Sequence, residues 1–267
     1  MTPDKQPILS VDLNCDLGES FGAYTIGQDQ ALLECVTSAN IACGWHAGDP
    51  IVMMQTVRLA KDSGTSIGAH PGYPDLMGFG RRNMALSPEE IRAYMIYQLG
   101  ALDGFARANG MALHHVKPHG ALYNTAAVDP SVADAIVEAI GAFNPNLTLL
   151  GLANSQMIRS AGALKLASAQ EVFADRAYQA DGTLVPRNQP GAVIHDTDAA
   201  ISRVLRMVKE GLVTAITGEN VAIQADSICV HGDNPKAVAF VREIKAALEN
   251  EGIRLRPFGK LCEPDRE

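Results

Sequence analysis

The sequence has little of what would assign it to a specialised class of protein. Aromatic residues make up 5% of its 267 residues, with a single tryptophan, and no apolar run reaches the roughly eighteen residues that a membrane-spanning helix requires. The five cysteines include no C-x-x-C pair, which argues against a disulfide framework and against a thiolate zinc site. The first residues lack the basic start and the apolar core of a secretory signal. These absences favour a cytoplasmic protein.

Positive charge is scarce as well. Lysine and arginine number 22 against 30 aspartates and glutamates, which gives a net charge of −8. This balance argues against broad contact with a nucleic-acid backbone. The chain also contains no G-x-x-x-x-G-K-[ST] phosphate loop, no G-x-S-x-G elbow and no H-E-x-x-H helix. It therefore resembles neither a stand-alone P-loop ATPase, nor an elbow-type serine hydrolase, nor a zincin.

The sequence does contain a regular alternation of apolar, β-rich stretches with amphipathic helical ones. The pattern predicts strands at 8–13, 38–43, 66–70, 112–117, 147–151, 167–174 and 227–231, and an extended segment at 253–258. It predicts helices at 28–35, 51–63, 88–108, 130–142, 155–161, 197–210 and 235–249. Strands that alternate with helices pair in parallel through right-handed crossovers. We therefore predict one α/β domain, a (β/α) barrel over 1–267 with tails at about 1–7 and about 259–267.

Polar clusters follow six of the predicted strands, at the ends where (β/α) barrels carry their active sites. In the first cluster, Asp12, Asn14 and Asp16 alternate along a strand and therefore share one face. From that face they can bind a metal, polarise a water molecule or hold an ammonium group. An EF-hand loop is the rival interpretation, but Gly18 falls one place late for it.

The second and third clusters add histidines and arginines. His46 is a candidate for chemistry, whereas Asp49, which precedes a proline, is equally suited to cap a helix. His70 opens a loop rich in glycine and proline that ends in Arg81 and Arg82. Paired guanidinium groups can grip a carboxylate or a phosphate. The loop is therefore interpreted as a lid over the barrel mouth.

The remaining three clusters follow the fourth, sixth and seventh strands, and cations occur in the first two of them. Lys117 and His119 point the same way at the end of the fourth strand, where they can act as proton donor, electrostatic clamp or base. The adjacent His114 and His115 are interpreted as structural. After the sixth strand come Asp175, Arg176 and Arg187, and after the seventh come His231 and Asp233, of which Asp233 can also cap the following helix.

These clusters resemble the LamB/YcsF family. The runs that carry the resemblance are DLNCDLGE at 12–19, ANIACGWHAGD at 39–49, GAHPGY at 68–73, VKPHGALY at 116–123, EVFADR at 171–176 and VHGDNP at 230–235. The resemblance extends from near residue 8 to about residue 258. It implies a seven-stranded (β/α) barrel related to glycoside hydrolases and polysaccharide deacetylases.

The resemblance also implies an activity, the opening of the lactam 5-oxo-L-proline to L-glutamate with hydrolysis of ATP, shared with separate B and C subunits of a 5-oxoprolinase. Under this interpretation ATP is a co-substrate of the complex. The related deacetylases bind a metal through aspartate and histidine. The residues here that can do so are Asp12, His46, His70 and His119, although the resemblance does not establish a metal.

From the clusters and the resemblance together we predict a set of site residues. Catalytic roles, such as positioning water, stabilising charge or protonating the ring nitrogen, are predicted for Asp12, Asn14, Asp16, His46, Lys117 and His119. Substrate-binding roles are predicted for Glu19, Asp49, His70, Arg81, Arg82, Asp175, Arg176, Arg187, His231 and Asp233. Two alternatives stay open: a metal-dependent carbohydrate deacetylase or hydrolase, and a non-catalytic subunit that presents the lactam to a partner.

Overall fold

The computed structural model describes residues 9–230 and 237–259 and shows a closed barrel of seven parallel strands with flanking helices. The strands are β1 (Ser10–Leu17), β2 (Ser38–Ala42), β3 (Ser66–His70), β4 (His115–Val116), β5 (Thr148–Leu152), β6 (Ser168–Phe173), β7 (Leu212–Thr214), β8 (Asn220–Ala222), β9 (Ser227–Val230) and β10 (Arg254–Leu255). The helices are α1 (Asp29–Leu33), α2 (Pro50–Ser63), α3 (Pro88–Ala108), α4 (Gly120–Val128), α5 (Pro130–Phe143), α6 (Gln156–Leu164), α7 (Thr197–Glu210) and α8 (Ala237–Asn250).

The barrel is formed by β1, β2, β3, β4, β5, β6 and β9 in that order, and β9 pairs with β1 to close the ring. β10 pairs in parallel with the first residues of β1, and β7 and β8 form a separate antiparallel hairpin. Because the barrel strands are all parallel, their carboxyl ends meet at one mouth. The predicted seven-stranded (β/α) barrel is confirmed.

Helix ends follow side chains that the sequence supplies. Asp49 caps α2, Ser87 forms a capping box at the start of α3, and Asp129 caps α5. Each of these side chains satisfies backbone N–H groups that the first helical turn leaves without a partner. At the other end, Gly64 after α2 and Gly211 after α7 adopt positive φ angles of 70° and 66°. Glycine adopts this left-handed conformation without steric cost.

The inside of the barrel is polar, and the apolar core lies between the strands and the surrounding helices. Along β1, Leu13, Cys15 and Leu17 are buried in the core. The alternate residues Asp12 and Asn14 are fully buried as well. Period-2 alternation turns this second set toward the barrel axis. A polar interior is stable only if its groups bond to one another, and these contacts position the site.

Several elements differ from the predicted pattern. α4 was not predicted, because apolar residues surround it instead of forming one stripe, and no side chain caps its start. The β7–β8 hairpin was also missed. β1 runs to Leu17 rather than ending at residue 13 because its polar residues line the barrel interior. The predicted strand end at 231, the helix start at 235 and the tails at 1–7 and 260–267 lie outside the described residues.

Within the described ranges, no helix is both long and apolar enough to cross a lipid bilayer. Four cysteines, at positions 15, 35, 43 and 229, are free and buried.

Candidate active site

A cavity of about 570 Å³ opens at the carboxyl ends of the barrel strands. Its polar residues come from four strands, β1, β3, β4 and β6, and the segments that follow them. Its charged or imidazole side chains include Asp16, Glu19, His70, Arg81, Lys117, His119, Arg176, Asp181 and Arg187. A larger depression of about 1340 Å³ lies at the opposite end of the barrel, beside Asp12 and Arg256. In (β/α) barrels the chemistry occurs at the carboxyl ends of the strands, so we assign the candidate site to the smaller cavity.

The acidic side of the cavity comes from β1 and the turn after it. Asp16 lies at the end of β1 and accepts a hydrogen bond of 2.9 Å from the Asn40 amide of β2. Gly18 turns the chain with φ of 70°, and its N–H donates to the Asp29 carboxylate at 2.9 Å. This turn places Glu19 beside the histidines of the neighbouring connections.

Three buried histidines from different connections meet at this point. His46 and His119 are stacked with ring centroids 3.7 Å apart, and His70 lies edge-on to both. His119 Nδ1 is 2.9 Å from His70 Nε2. Glu19 Oε1 is 3.5 Å from His46 Nε2 and 3.7 Å from His119 Nδ1. One ligand atom from each of these four residues lies within 4.8 Å of the others.

Two of these histidines, His46 and His119, are uncharged bases. Burial lowers the pKa of His46 well below its ordinary value, and the neighbouring His70 adds to the effect. Burial likewise lowers the pKa of His119, together with His46 and His70. A neutral imidazole offers one lone pair to a ligand or a proton. His46 and His119 therefore contribute acceptors, and not fixed cations, to the cluster.

Lys117 is the cation of the barrel interior. Its Nζ lies 3.0 Å from Asp16 Oδ1 and 2.8 Å from Glu171 Oε1, and it donates to Cys229 Sγ at 3.2 Å. Burial alone lowers a lysine pKa, but the charge of Asp16 and the contacts with Cys229 and Glu171 raise the pKa of Lys117 well above its ordinary value. A raised pKa favours the protonated ammonium, so Lys117 suits the role of proton donor or electrostatic clamp better than that of base.

Arginines form another part of the wall. Arg81 lies over the Phe79 ring, with its guanidinium carbon 4.9 Å from the ring centroid. Arg176 is buried and donates to the Val185 carbonyl at 2.6 Å. Burial, reinforced by the charge of Arg187, lowers the pKa of Arg176 to about 10. Cations that disfavour one another in this way attract an anion, so this wall can bind a carboxylate or a phosphate.

Several predicted residues lie elsewhere. Arg82 is bonded to Asp75 within its own loop, and its side chain is 68% exposed. Asp49 caps α2 and accepts a hydrogen bond from the Gly22 N–H. Of its two interpretations, substrate binding and helix capping, the structure favours capping. Asp175 lies beside Arg176, on which its charge acts, while His231 and Asp233 fall outside the described residues.

Asp12 also lies away from the cluster, which corrects its assignment as a catalytic residue and metal ligand. It is four residues before Asp16 on one strand, about 13 Å deeper at 3.3 Å per residue. There it accepts hydrogen bonds from Thr37 at 2.5 Å, from Ser38 at 2.7 Å and from Ser227. Sequence alternation finds the face of a strand but not the depth along it.

Asn14 lies one layer below the cavity. Its amide donates to Glu171 at 3.1 Å and to Ser227 at 2.7 Å, and its carbonyl oxygen accepts from Asn40 at 2.8 Å and from Lys117 at 3.3 Å. These contacts hold the interior network together. Asn14 therefore positions Lys117 and Glu171 and does not reach the cavity wall.

The site also contains residues that were not predicted. Glu171 is fully buried, contacts Lys117, and accepts from the Tyr123 hydroxyl at 2.7 Å. His115, interpreted as structural, lies in the interior and bonds to Asn40 at 2.7 Å. A carboxylate inside an apolar strand is the signal that could have identified Glu171. The role of Asn40 has no comparable signal in the sequence.

Fold and site together define a class, the (β/α)₇-barrel proteins with a buried histidine–carboxylate cluster at the carboxyl ends of the strands. The LamB/YcsF family model matches residues 11–263. The chain belongs to the LamB/YcsF family, and the resemblance drawn from the six motifs is confirmed.

Individual relatives agree with this assignment. The chain is 57% identical over 251 residues to the A subunit of the 5-oxoprolinase of Clostridium beijerinckii, across 94% of this chain and 98% of that protein. The solved lactam utilization protein from Thermus thermophilus is 48% identical, with a TM-score of 0.89 over 94% of this chain and all of that one (100%). The catalytic domain of a peptidoglycan N-acetylglucosamine deacetylase from Eubacterium rectale is 13% identical with a TM-score of 0.50, over 100% and 95% of the two chains. This last likeness shows the fold alone.

Proposed function

We propose that this chain is the A-type subunit of a 5-oxoprolinase, in which 5-oxo-L-proline, ATP and two waters give L-glutamate, ADP and phosphate. The observation that carries the proposal is the 57% identity to the A subunit of a 5-oxoprolinase over nearly the whole of both chains. The cavity supports it, because anion-binding cations and a cluster of proton acceptors line the same cavity.

The arginine wall suits the carboxylate of the lactam. Arg81, Arg176 and Arg187 line one cavity with Lys117, His70 and His119. A planar guanidinium binds a carboxylate or phosphate through two parallel hydrogen bonds. We assign these arginines to the substrate carboxylate and to the phosphate of an activated intermediate.

The ammonium group of Lys117 can stabilise the negative charge that develops on the lactam oxygen. An amide is resonance-stabilised, so water opens it only after activation, and phosphorylation of the carbonyl oxygen creates a leaving group. Attack by water then places negative charge on oxygen, which a fixed, desolvated ammonium stabilises. Since Lys117 is held by Asp16 and Glu171, its position is set before the substrate arrives.

The acceptor cluster, formed by Asp16, Glu19, His70 and His119, can position and deprotonate the attacking water. Asp16 and Glu19 place carboxylate oxygens on the cavity wall beside His70 and His119. A base within hydrogen-bond reach of water can take its proton during attack. We assign this step to the cluster, and the proton that it takes from the water then passes to the departing ring nitrogen.

We propose that the B and C subunits of the complex complete the reaction, with ATP as a co-substrate bound by those partners. The chain lacks a phosphate-cradling glycine loop with lysine, and its relative is named as one subunit of a 5-oxoprolinase. We place the complex in the cytoplasm, a location with which the four free cysteines agree.

A metal-dependent hydrolase of N-acetyl sugars is the second candidate, and the cluster of three histidines and one glutamate favours it. The experiment that separates the two candidates mixes this chain with B- and C-type subunits and supplies either 5-oxo-L-proline with ATP or N-acetyl sugars. Glutamate formed only with all subunits and ATP supports the first proposal. Acetate released from a sugar by this chain alone would replace it with the second.

A further inference from the structure

We infer that Glu19, His46, His70 and His119 together bind one divalent cation of the Zn²⁺ type. The four ligand atoms lie within 4.8 Å of one another. Glu19 Oε1 is 3.5 Å from His46 Nε2 and 3.7 Å from His119 Nδ1. Two ligands on a tetrahedral ion with bonds of about 2.1 Å are about 3.4 Å apart, so the cluster has the dimensions of a coordination shell.

Backbone carbonyls fix which nitrogens face the centre of the cluster. His70 Nδ1 lies 2.7 Å from the Lys117 carbonyl oxygen, and His119 Nε2 lies 2.8 Å from that of Phe79. A carbonyl only accepts, so each ring carries its hydrogen on that nitrogen. Metal-binding histidines are held in this way by a backbone carbonyl or a carboxylate.

The remaining nitrogens therefore carry lone pairs directed at each other. His70 Nε2 and His119 Nδ1 are 2.9 Å apart, and Asp16 Oδ2 lies 3.2 Å from the same His70 nitrogen. Electron-rich atoms at these distances repel unless a positive centre lies between them. Either a proton or a metal cation supplies that centre.

His46 decides between the two in favour of a cation. It is fully buried, and neither of its ring nitrogens has a hydrogen-bond partner within the residues that the structure describes. A proton shared by His70 and His119 would leave this costly state unchanged. A cation bound by all three rings removes it, and three nitrogens with one carboxylate oxygen form a donor set that Zn²⁺ favours.

One adjustment accompanies binding. The His46 and His119 rings are nearly parallel, at 4°, so they cannot both aim an in-plane lone pair at one point. His119 is held by the Phe79 carbonyl, whereas no described hydrogen bond holds His46. His46 is therefore the ring that turns toward the ion. Glu19, His70 and His119 line the open cavity, which gives the ion a path of entry.

The inference concerns the cavity of the proposed function but rests on side-chain geometry alone. Metal binding is measured without substrate, ATP or partner subunits. Loss of lactam opening and loss of metal binding are thus separate results.

The test uses the full chain with no histidine tag. After treatment with a chelator, the protein is titrated with Zn²⁺ in competition with a chromophoric chelator, and metal content is measured by mass spectrometry. A second sample is loaded with Co²⁺, whose visible absorption reports a tetrahedral site. The variants are Glu19→Gln and His46→Gln, with His115→Gln as the matched control because His115 is equally buried but bonds to Asn40.

We expect one Zn²⁺ per chain in the wild type and in His115→Gln. Each ligand variant should lose more than about tenfold in affinity, the lower limit seen when even an outer partner of a metal site is removed. It should also lose the tetrahedral Co²⁺ spectrum. If His46→Gln does not fold, Glu19→Gln decides, since it changes a charge and not a volume. Absence of binding in the wild type, or equal affinity in all four proteins, would overturn the inference.

Discussion

Lys117, Asp16 and Glu171 form a buried ion network whose charges depend on one another. The Lys117 and Glu171 side chains are 3% and 0% exposed. Removal of one partner from a buried pair leaves an uncompensated charge, which costs about 3–5 kcal/mol. Alanine substitution of Lys117, Asp16 or Glu171 therefore changes the stability of the fold as well as the catalytic activity.

A double variant separates the two effects. Lys117→Met should lower kcat/KM at least 100-fold, about 2.7 kcal/mol of barrier, and should also lower the free energy of unfolding. Adding Glu171→Gln neutralises a stranded carboxylate, so the double variant should regain part of the stability but none of the activity. Chemical denaturation and glutamate assays on the same samples check this. Recovery of activity in the double variant would show that Lys117 only supports the structure.

Asp12 is a buried carboxylate whose hydrogen-bond donors are the hydroxyl groups of Thr37, Ser38 and Ser227. Burial raises its pKa from 3.8 to about 6, and the charge of Glu171 contributes, against hydrogen bonds from Ser227, Thr37 and Ser38. Because the folded pKa exceeds the unfolded one, the native state binds more protons between these values. Its stabilising effect is therefore present below pH 3.8 and is lost as the pH rises through about 6.

We expect Asp12→Asn to remove this dependence. As the pH rises from about 4 to 7, the wild type should lose up to about 3 kcal/mol of unfolding free energy relative to the variant, at about 1.4 kcal/mol per pKa unit. Hydrogen bonds changed by the amide add an offset that does not vary with pH. Activity should stay within about threefold of wild type, because Asp12 lies below the cavity. A parallel pair of stability curves would show that Asp12 does not titrate in this range.

At the scale of elements, the loop between β3 and α3 closes one side of the cavity. The Asp75 carboxylate accepts from the Gly78 N–H and pairs with Arg82, while the Phe79 carbonyl holds His119. A Cβ atom on Gly80 would lie 2.7 Å from His119 and 2.8 Å from His46. The loop thus packs closely against the histidines. Its two arginines differ, since Arg81 lines the cavity and Arg82 pairs with Asp75.

Arg81 and Arg82 should respond differently to substitution. Arg81→Ala should raise KM for the lactam at least about tenfold, with partial recovery in Arg81→Lys, since a point charge does not replace a planar fork. Arg82→Ala should act through the loop, so Asp75→Asn should copy it and the double variant should be no worse than either single one. Steady-state kinetics and limited proteolysis of the loop measure both effects. A defect in Arg82→Ala that Asp75→Asn lacks would assign Arg82 to the substrate.

The elements also show where prediction from sequence succeeds and fails. β3 and α7 match their predicted ranges. For α7, side-chain capping by Asp196 and the left-handed Gly211 mark the two ends. β4 has two residues in the ladder where six were predicted, although the N–H groups of His114 and Lys117 on either side also donate to carbonyls of β3. The polar clusters mark the mouth of the barrel, but which residues meet depends on strand register, as Glu19 and Asp12 demonstrate.

At the scale of the whole molecule, the residues of the chain indicate which part of the proposed reaction it performs and which part its partner subunits perform. One cavity holds the acceptor cluster, Lys117 and three arginines, which suits the lactam and an activated form of it. The net charge of −8 gives no general attraction for a polyanion such as ATP. The chain is therefore equipped for one part of a reaction that consumes ATP.

We expect the purified chain alone neither to hydrolyse ATP nor to release glutamate from 5-oxo-L-proline. Addition of the B and C subunits should restore both activities, with one ADP formed for each glutamate, because activation and ring opening are then linked through a shared intermediate. An ADP assay and a glutamate assay on the same samples test this, with the Lys117→Met chain in the complex as control. That control should abolish glutamate release while the assembled complex still forms. Glutamate produced by the isolated chain, with or without ATP, would show that this barrel carries out the whole reaction without partners.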